Sequence, residues 1–159
     1  MIRVGVIGTG AMGQNHVRIY SEMDGVELAG ISDIDQKRVE SMAAQFKTKS
    51  FTDYKEMFAE GLDAVSVVVP TKLHKQVVLD ALDAGLHVLV EKPIADTTEN
   101  ADLMISAAKK AGKILMVGHI ERFNPAVIKL KEIIDSGILG KIVSISTKRV
   151  GPYNPRIRD

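Results

Sequence analysis

Near the start of the chain, Gly8-Thr9-Gly10-Ala11-Met12-Gly13 matches the spacing G-x-G-x-x-G. That spacing suits one task, laying a diphosphate against the main chain. The first glycine permits a tight turn, the second lets the phosphates approach the backbone, and the third lets a helix pack close to a strand. Free N–H groups and the positive end of the helix then face the anion. Glycine triplets also make ordinary turns, but this one follows a β-branched run and opens a helical period. A carboxylate is expected about 20 residues further on, and Asp33 stands there, closing the run 26–32. Asp33 could instead cap the next helix. Asp35 is better placed for that, which leaves Asp33 free at the strand tip. A carboxylate there accepts hydrogen bonds from the adenosine 2′- and 3′-hydroxyls and repels a 2′-phosphate. Its neighbours Ser32 and Ile34 supply no arginine for such a phosphate. The expected cofactor is NAD rather than NADP.

The elements that must position these groups are legible in the hydrophobic pattern. Short apolar runs rich in β-branched residues fall at 2–7, 26–32, 64–69, 87–90 and 114–117, with a weaker one near 48–51. Between them apolar residues recur three and four apart. Val77, Val78, Ala81 and Leu82 form one stripe that stops at Gly85; Ala101, Met104, Ile105 and Ala108 form another that stops at Gly112. Glycine supplies the left-handed residue that a helix end needs. The strands are apolar on consecutive positions, as when both faces of a parallel sheet are covered. This alternation predicts βαβ units. The fold class is α/β, a doubly wound parallel sheet of Rossmann type over 1–120.

The pattern changes after residue 120. Asn124-Pro125 reads as a helix start, with Ala126, Leu130, Ile133 and Ile134 as its apolar stripe and Gly137 as its end. A strand is expected over 142–148, with Val143, Ile145 and Thr147 on one face. The tail Gly151-Pro152-Tyr153-Asn154-Pro155 is turn-rich. A half-polar strand wants an antiparallel sheet with one wet face. Residues 121–159 therefore read as the first helix and strand of a second, truncated α/β domain.

The 159 residues carry 21 Lys and Arg against 20 Asp and Glu, a net charge of +1. Such a balance gives no net drive toward nucleic acid or an anionic membrane. With no cysteine, disulfides, thiolate nucleophiles and Cys-ligated zinc are excluded, and a reducing compartment is suited. No apolar run approaches the ~18 residues of a membrane span, and the first residues lack a signal peptide's pattern. A cytoplasmic protein is expected. No two histidines have metal-ligand spacing, so no metal site is expected. His16 and His87 read as surface or packed residues.

Three further segments fall at carboxyl ends of later strands, where an open α/β sheet places its ligands. They are Val69-Pro70-Thr71-Lys72-Leu73-His74, Glu91-Lys92-Pro93, and Gly118-His119-Ile120-Glu121-Arg122-Phe123-Asn124-Pro125. With the glycine turn, they closely resemble the glucose–fructose oxidoreductase / inositol dehydrogenase / MocA family of sugar dehydrogenases, over essentially the whole chain. The resemblance implies that Gly8, Thr9, Gly10, Ala11, Met12 and Gly13 hold the pyrophosphate and Asp33 the adenosine ribose. It puts Pro70, Thr71 and His74 along the cofactor toward the nicotinamide ribose, although His74 reads equally well as packing for its helix turn. Glu91 would lie near the cofactor, and Lys92 beside the nicotinamide and the sugar carbon being oxidised, in a dry pocket. His119, aimed at the cleft by a strand end, and Arg122 would lie at the floor of the active site. Oxidising a secondary alcohol requires loss of the hydroxyl proton, which Lys92 could accept or steady by a hydrogen bond. A solvated strand-end lysine is the plainer reading of the same residue.

In that family a second domain carries substrate residues, usually the subunit interface, and a histidine base within Asp-x-Gly-x-His. No such motif follows here. The expected function is NAD-dependent oxidation of a secondary alcohol on a sugar, cyclitol or nucleotide-linked sugar, by a homo-oligomer. The stretch 118–123 is similar to members acting on nucleotide-linked amino sugars, such as UDP-N-acetylglucosamine 3-dehydrogenases. The 159 residues by themselves are expected to be inactive. The alternative is a non-catalytic NAD(H)-binding or redox-sensing module, which has no need of Glu91-Lys92-Pro93.

Overall fold

The computed structural model of the chain describes residues 1–148 and 150. Six strands make one sheet: β1 (Ile2–Ile7), β2 (Val26–Ser32), β3 (Lys49–Phe51), β4 (Ala64–Val67), β5 (His87–Val90) and β6 (Leu115–Val117). The helices are α1 (Gly13–Glu22), α2 (Gln36–Phe46), α3 (Tyr54–Phe58), α4 (Thr71–Asp83), α5 (Thr98–Ala111) and α6 (Pro125–Asp135). The strand order is β3-β2-β1-β4-β5-β6, with every adjacent pair parallel. That is the Rossmann order. The chain reverses its winding between β1 and β4, and there the carboxyl ends open a crevice for ligands.

Consecutive residues of β1 go to opposite cores, which is why the strands lack polar alternation. Val6 joins Val17, Ile31, Val39 and Met42 under α1 and α2. Ile7 joins Met57, Val65, Val78, Leu82 and Met104 under α3, α4 and α5. Each such side chain taken from water contributes about 1.5–3 kcal/mol. The stripe read for α4 is buried as expected. In α5, Met104 and Ala108 face the core, whereas Ile105 is 41% exposed.

Some elements differ from expectation. The five-residue α3, capped by Asp53, is too short to show a period and was invisible in the pattern. β4 stops at Val67, two residues before the end of the apolar run, although Val68 N still donates to the Ile7 carbonyl oxygen at 2.8 Å.

Residues Met1–His119 form one compact unit, and the chain from Ile120 forms another. The second opens on a 3-10 turn, Ile120–Phe123, followed by α6. Asn124 caps α6 through Ala126 N, with Pro125 in the first turn as its spacing predicts. The strand expected over 142–148 does not form. A strand exists only with a ladder partner, and none pairs with this segment among the described residues. The tail 151–159 lies outside the described residues.

Candidate functional site

The three glycines after β1 answer to different constraints. Gly8 has φ +94°, and a Cβ there would sit 2.5 Å from the Val68 carbonyl oxygen. A Cβ on Gly13 would sit 1.9 Å from the Gly8 carbonyl oxygen. Both are forced by the protein's own backbone. A Cβ on Gly10 would meet nothing within 4 Å. Its missing side chain leaves space that the fold itself does not need.

Asp33 closes β2 beside this turn. Its Oδ2 accepts from Thr9 N at 2.7 Å and Thr9 Oγ1 at 2.8 Å, and its Oδ1 accepts from Asp35 N at 3.0 Å. Asp35 caps α2, as expected. Asp33 is not free, however: it clamps the glycine turn, a contact made possible by β1 and β2 being neighbours. A carboxylate has about four lone-pair positions, so one remains for a ligand hydroxyl. Burial alone would raise the Asp33 carboxyl, but the bonds from Asp35 and Thr9, with the Arg38 charge, hold it below its usual range. A depressed carboxylate keeps its contribution above its unfolded value, so the clamp is complete above about pH 4 and is lost as pH falls through the lowered value.

A cavity of about 540 Å³ opens over these strand ends. Gly8, Gly10, Met12 and Asp33 line one side; Pro70, Thr71, His74, Glu91 and Lys92 line the other. By strand order, the tips of β2 and β5 are three spacings apart, about 14 Å. Side chains cap α2, α3, α5 and α6 at their starts. No side chain caps α1 or α4, whose starting residues Met12 and Pro70 line the cavity. Uncapped starts present N–H groups and positive dipole ends to an anion. Thr9, Ala11 and Gly13 do not line the cavity: Thr9 is fully buried under the turn, and Gly13 packs α1 on β1.

The far side rests on a buried polar network. Glu91, at the end of β5, is 8% exposed. Its Oε2 accepts from Lys92 N at 3.1 Å, and its Oε1 lies 3.2 Å from His16 Nε2. His16 Nδ1 lies 3.2 Å from Ser66 Oγ, which is 2.8 Å from the Tyr20 hydroxyl. His16 is thus packed, in keeping with its reading, but as part of the support for Lys92. His74 both packs and lines the cavity. Its Nδ1 lies 3.0 Å from the Pro93 carbonyl oxygen and its Nε2 2.9 Å from that of Val69. The ring lies between the start of α4 and the turn after Lys92, whose peptide bond to Pro93 is cis.

Lys92 lines the cavity but is exposed, so residues 1–119 do not build the dry pocket expected around it. His119 follows β6 and is exposed; it does not line the cavity at which it was expected to point. Glycine at 118 lets the Glu91 carboxylate fill the space on that strand end. Arg122 belongs to the second unit, in the last turn of its 3-10 segment. Arg38 and Tyr54, unmentioned in the sequence reading, also line the cavity. Burial and the Asp80 carboxylate push the Tyr54 hydroxyl up. Together these groups could hold an extended dianion, with N–H groups for phosphates, a carboxylate for a diol and apolar walls for rings.

Residues 2–119 match the family model described as "Oxidoreductase family, NAD-binding Rossmann fold" (GFO_IDH_MocA). The UDP-N-acetylglucosamine 3-dehydrogenase of Acidithiobacillus ferrooxidans is 36% identical over 158 residues, 99% of this chain and 48% of that protein. The inositol 2-dehydrogenase/D-chiro-inositol 3-dehydrogenase of Lacticaseibacillus casei is 33% identical over 96% of this chain and 45% of that protein. The crystal structure of myo-inositol 2-dehydrogenase from Lactobacillus plantarum superposes with a TM-score of 0.83 at 30% identity, covering 89% of this chain and 43% of that one. The chain spans about half the length of the curated relatives it matches.

Proposed function

The chain belongs to this oxidoreductase family with its NAD-binding Rossmann fold, and from that premise we propose that it is the cofactor-binding part of an NAD-dependent dehydrogenase acting on a secondary alcohol of a sugar, cyclitol or nucleotide-linked sugar. One observation carries the reading: a single cavity joins a glycine turn open at Gly10, two uncapped helix starts, the Asp33 carboxylate and Lys92. The glycine turn and the uncapped start of α1 receive the pyrophosphate, and Asp33 takes the adenosine ribose hydroxyls. Bound NAD supplies the hydride acceptor. Lys92, held from behind by Glu91 and His74, meets the alcohol oxygen and helps carry its proton. Pro70, Thr71 and Glu91 line the nicotinamide side, and His119 and Arg122 serve the substrate end. Resemblance of 118–123 to UDP-N-acetylglucosamine 3-dehydrogenases, and the similarity to the Acidithiobacillus enzyme, favour a nucleotide-linked amino sugar. The cysteine-free sequence fits a reducing compartment, and we place the protein in the cytoplasm. Exposed Ile138 and Val143 in the second unit support self-association.

Asp33→Ala is expected to weaken NAD by about 1.5–3 kcal/mol, the usual worth of hydrogen bonds to a charged group. Calorimetric titration checks this, and an unchanged NAD affinity would remove Asp33 from the site. Turnover needs an oriented alcohol about 3–3.5 Å from the nicotinamide in a water-excluding pocket, and exposed Lys92 does not have one within residues 1–119. The 159-residue chain is therefore expected to bind NADH yet not reduce NAD with UDP-N-acetylglucosamine, myo-inositol or glucose. Robust turnover with any of them would contradict the need for further residues.

A further inference from the structure

Behind the cavity wall, a chain of four side chains runs from α1 across β4 to Glu91. The Tyr20 hydroxyl lies 2.8 Å from Ser66 Oγ, which lies 3.2 Å from His16 Nδ1, and His16 Nε2 lies 3.2 Å from Glu91 Oε1. Ser66 is fully buried, and the side chains of His16 and Glu91 are 14% and 9% exposed. The order of the protons follows from what each group can give. A carboxylate only accepts, so His16 carries its proton on Nε2. The uncharged ring then offers a lone pair at Nδ1, and Ser66 donates to it. The single Ser66 proton is thereby used, so Tyr20 donates to Ser66. Every donor in the chain points toward Glu91, and the bond at Nδ1 sets the tautomer that serves Nε2. Glu91 Oε2 accepts from Lys92 N at 3.1 Å, so two N–H groups hold a carboxylate that also lines the cavity. Glycine at 118 makes room for it, since a Cβ there would sit 3.1 Å from Oε1. A carboxylate drawn from water needs such donors; deprived of one, it turns back to water or takes up a proton.

We propose that His16 is a positioning residue that holds the Glu91 carboxylate on the cavity wall, and that this charge favours the oxidised cofactor over the reduced one. The proposal rests on the reading above, in which Glu91 lies on the nicotinamide side. The nicotinamide ring is cationic in NAD and neutral in NADH, and the rest of the dinucleotide is the same. A negative charge fixed beside the ring therefore stabilises NAD selectively, the more so away from bulk water. Asp33 meets the adenosine end, about 14 Å away by strand order, and acts on both forms alike. Ser66 and Tyr20 serve one step further back, by fixing the His16 tautomer.

The test is calorimetric titration of NAD, NADH and ADP-ribose against the wild-type chain, Glu91→Gln, His16→Asn, His16→Gln and the double variant His16→Asn with Glu91→Gln, with thermal unfolding of each. Glutamine at 91 keeps the shape and loses the charge, and should lower the NAD-to-NADH affinity ratio about fivefold or more. Asparagine at 16 puts its amide nitrogen where Nδ1 stood and leaves Glu91 without that donor; the ratio should fall about threefold or more. Glutamine at 16 puts its amide nitrogen near the place of Nε2 and should restore most of the ratio. The double variant should match Glu91→Gln alone, because both changes remove one charge. ADP-ribose, which has no nicotinamide, should bind every folded variant alike. A merely structural role for His16 would weaken all three ligands together and leave the ratio unmoved, which would overturn the proposal. A ratio that falls as far in His16→Gln as in His16→Asn would also overturn it. Should His16→Asn fail to fold, Ser66→Ala, which removes the donor that sets the tautomer, decides: a fall of about twofold or more is expected, and an unchanged ratio overturns the proposal. A wild-type chain that binds none of the three ligands would defeat the cofactor reading itself. One that binds all three, with a ratio that Glu91→Gln does not move, would defeat the present proposal alone.

Discussion

Gly10→Ala is expected to leave the fold at wild-type stability while weakening NADH at least about tenfold, or 1.4 kcal/mol. Gly13→Ala is expected to lose both. The difference comes from what a methyl group meets. At Gly10 it enters open space in the cavity, so stability should stay within about 0.5 kcal/mol, as for changes that touch nothing. The same methyl group stands where a pyrophosphate must approach the main chain. At Gly13 it would lie 1.9 Å from the Gly8 carbonyl oxygen, and α1 must move off β1 to admit it. Overpacking of this kind costs about 1–3 kcal/mol, and more when backbone opposes backbone. Thermal unfolding and NADH fluorescence on the two variants check the pair. A Gly10→Ala protein that binds NADH normally would show that the open space is not the diphosphate path.

His74→Ala is expected to destabilise the chain by about 2–4 kcal/mol, although the histidine is no part of either hydrophobic cluster. His74 is 1% exposed, and its ring lies against the carbonyl oxygens of Val69 and Pro93. Truncation removes a hydrogen bond to one of these carbonyls, worth about 0.5–1.5 kcal/mol, and leaves a hole the size of an imidazole. His74→Gln, which retains an N–H donor, should recover part of the loss. NADH affinity should fall with His74→Ala as well, because the same ring holds the turn that carries Lys92. Urea unfolding gives the stability change; a loss below about 0.5 kcal/mol, the size of a neutral surface change, would contradict the bridging role.

The parts of the site that were legible in the sequence are those whose chemistry is local. Gly8 to Gly13 and Asp33 declare themselves by spacing, because a turn and a strand tip are each built from a few consecutive residues. The alternation of strands and helices, and with it the α/β class, was legible for the same reason. What stayed hidden depends on side chains meeting across the sheet. His16 and Glu91 are 75 positions apart, and no spacing links them until β1, β4 and β5 lie side by side. The chain neighbours of Asp33 include no arginine, whereas Arg38 arrives from the first turn of α2. The pair Asp35 and Arg38, three apart at a helix start, was the available signal. His119 is exposed and lies off the cavity wall, because a strand end fixes where the backbone goes, and not which way the next side chain turns. The strand over 142–148 was read from alternation alone, and alternation does not supply a partner.

The most direct test of the account is a fluorescence titration of the folded 159-residue chain with NADH, with folding verified by circular dichroism. The account predicts saturable binding at one site per chain, displaced by NAD and weakened in parallel by Gly10→Ala and Asp33→Ala. A folded chain with no saturable NADH binding, or with binding indifferent to both substitutions, would contradict it.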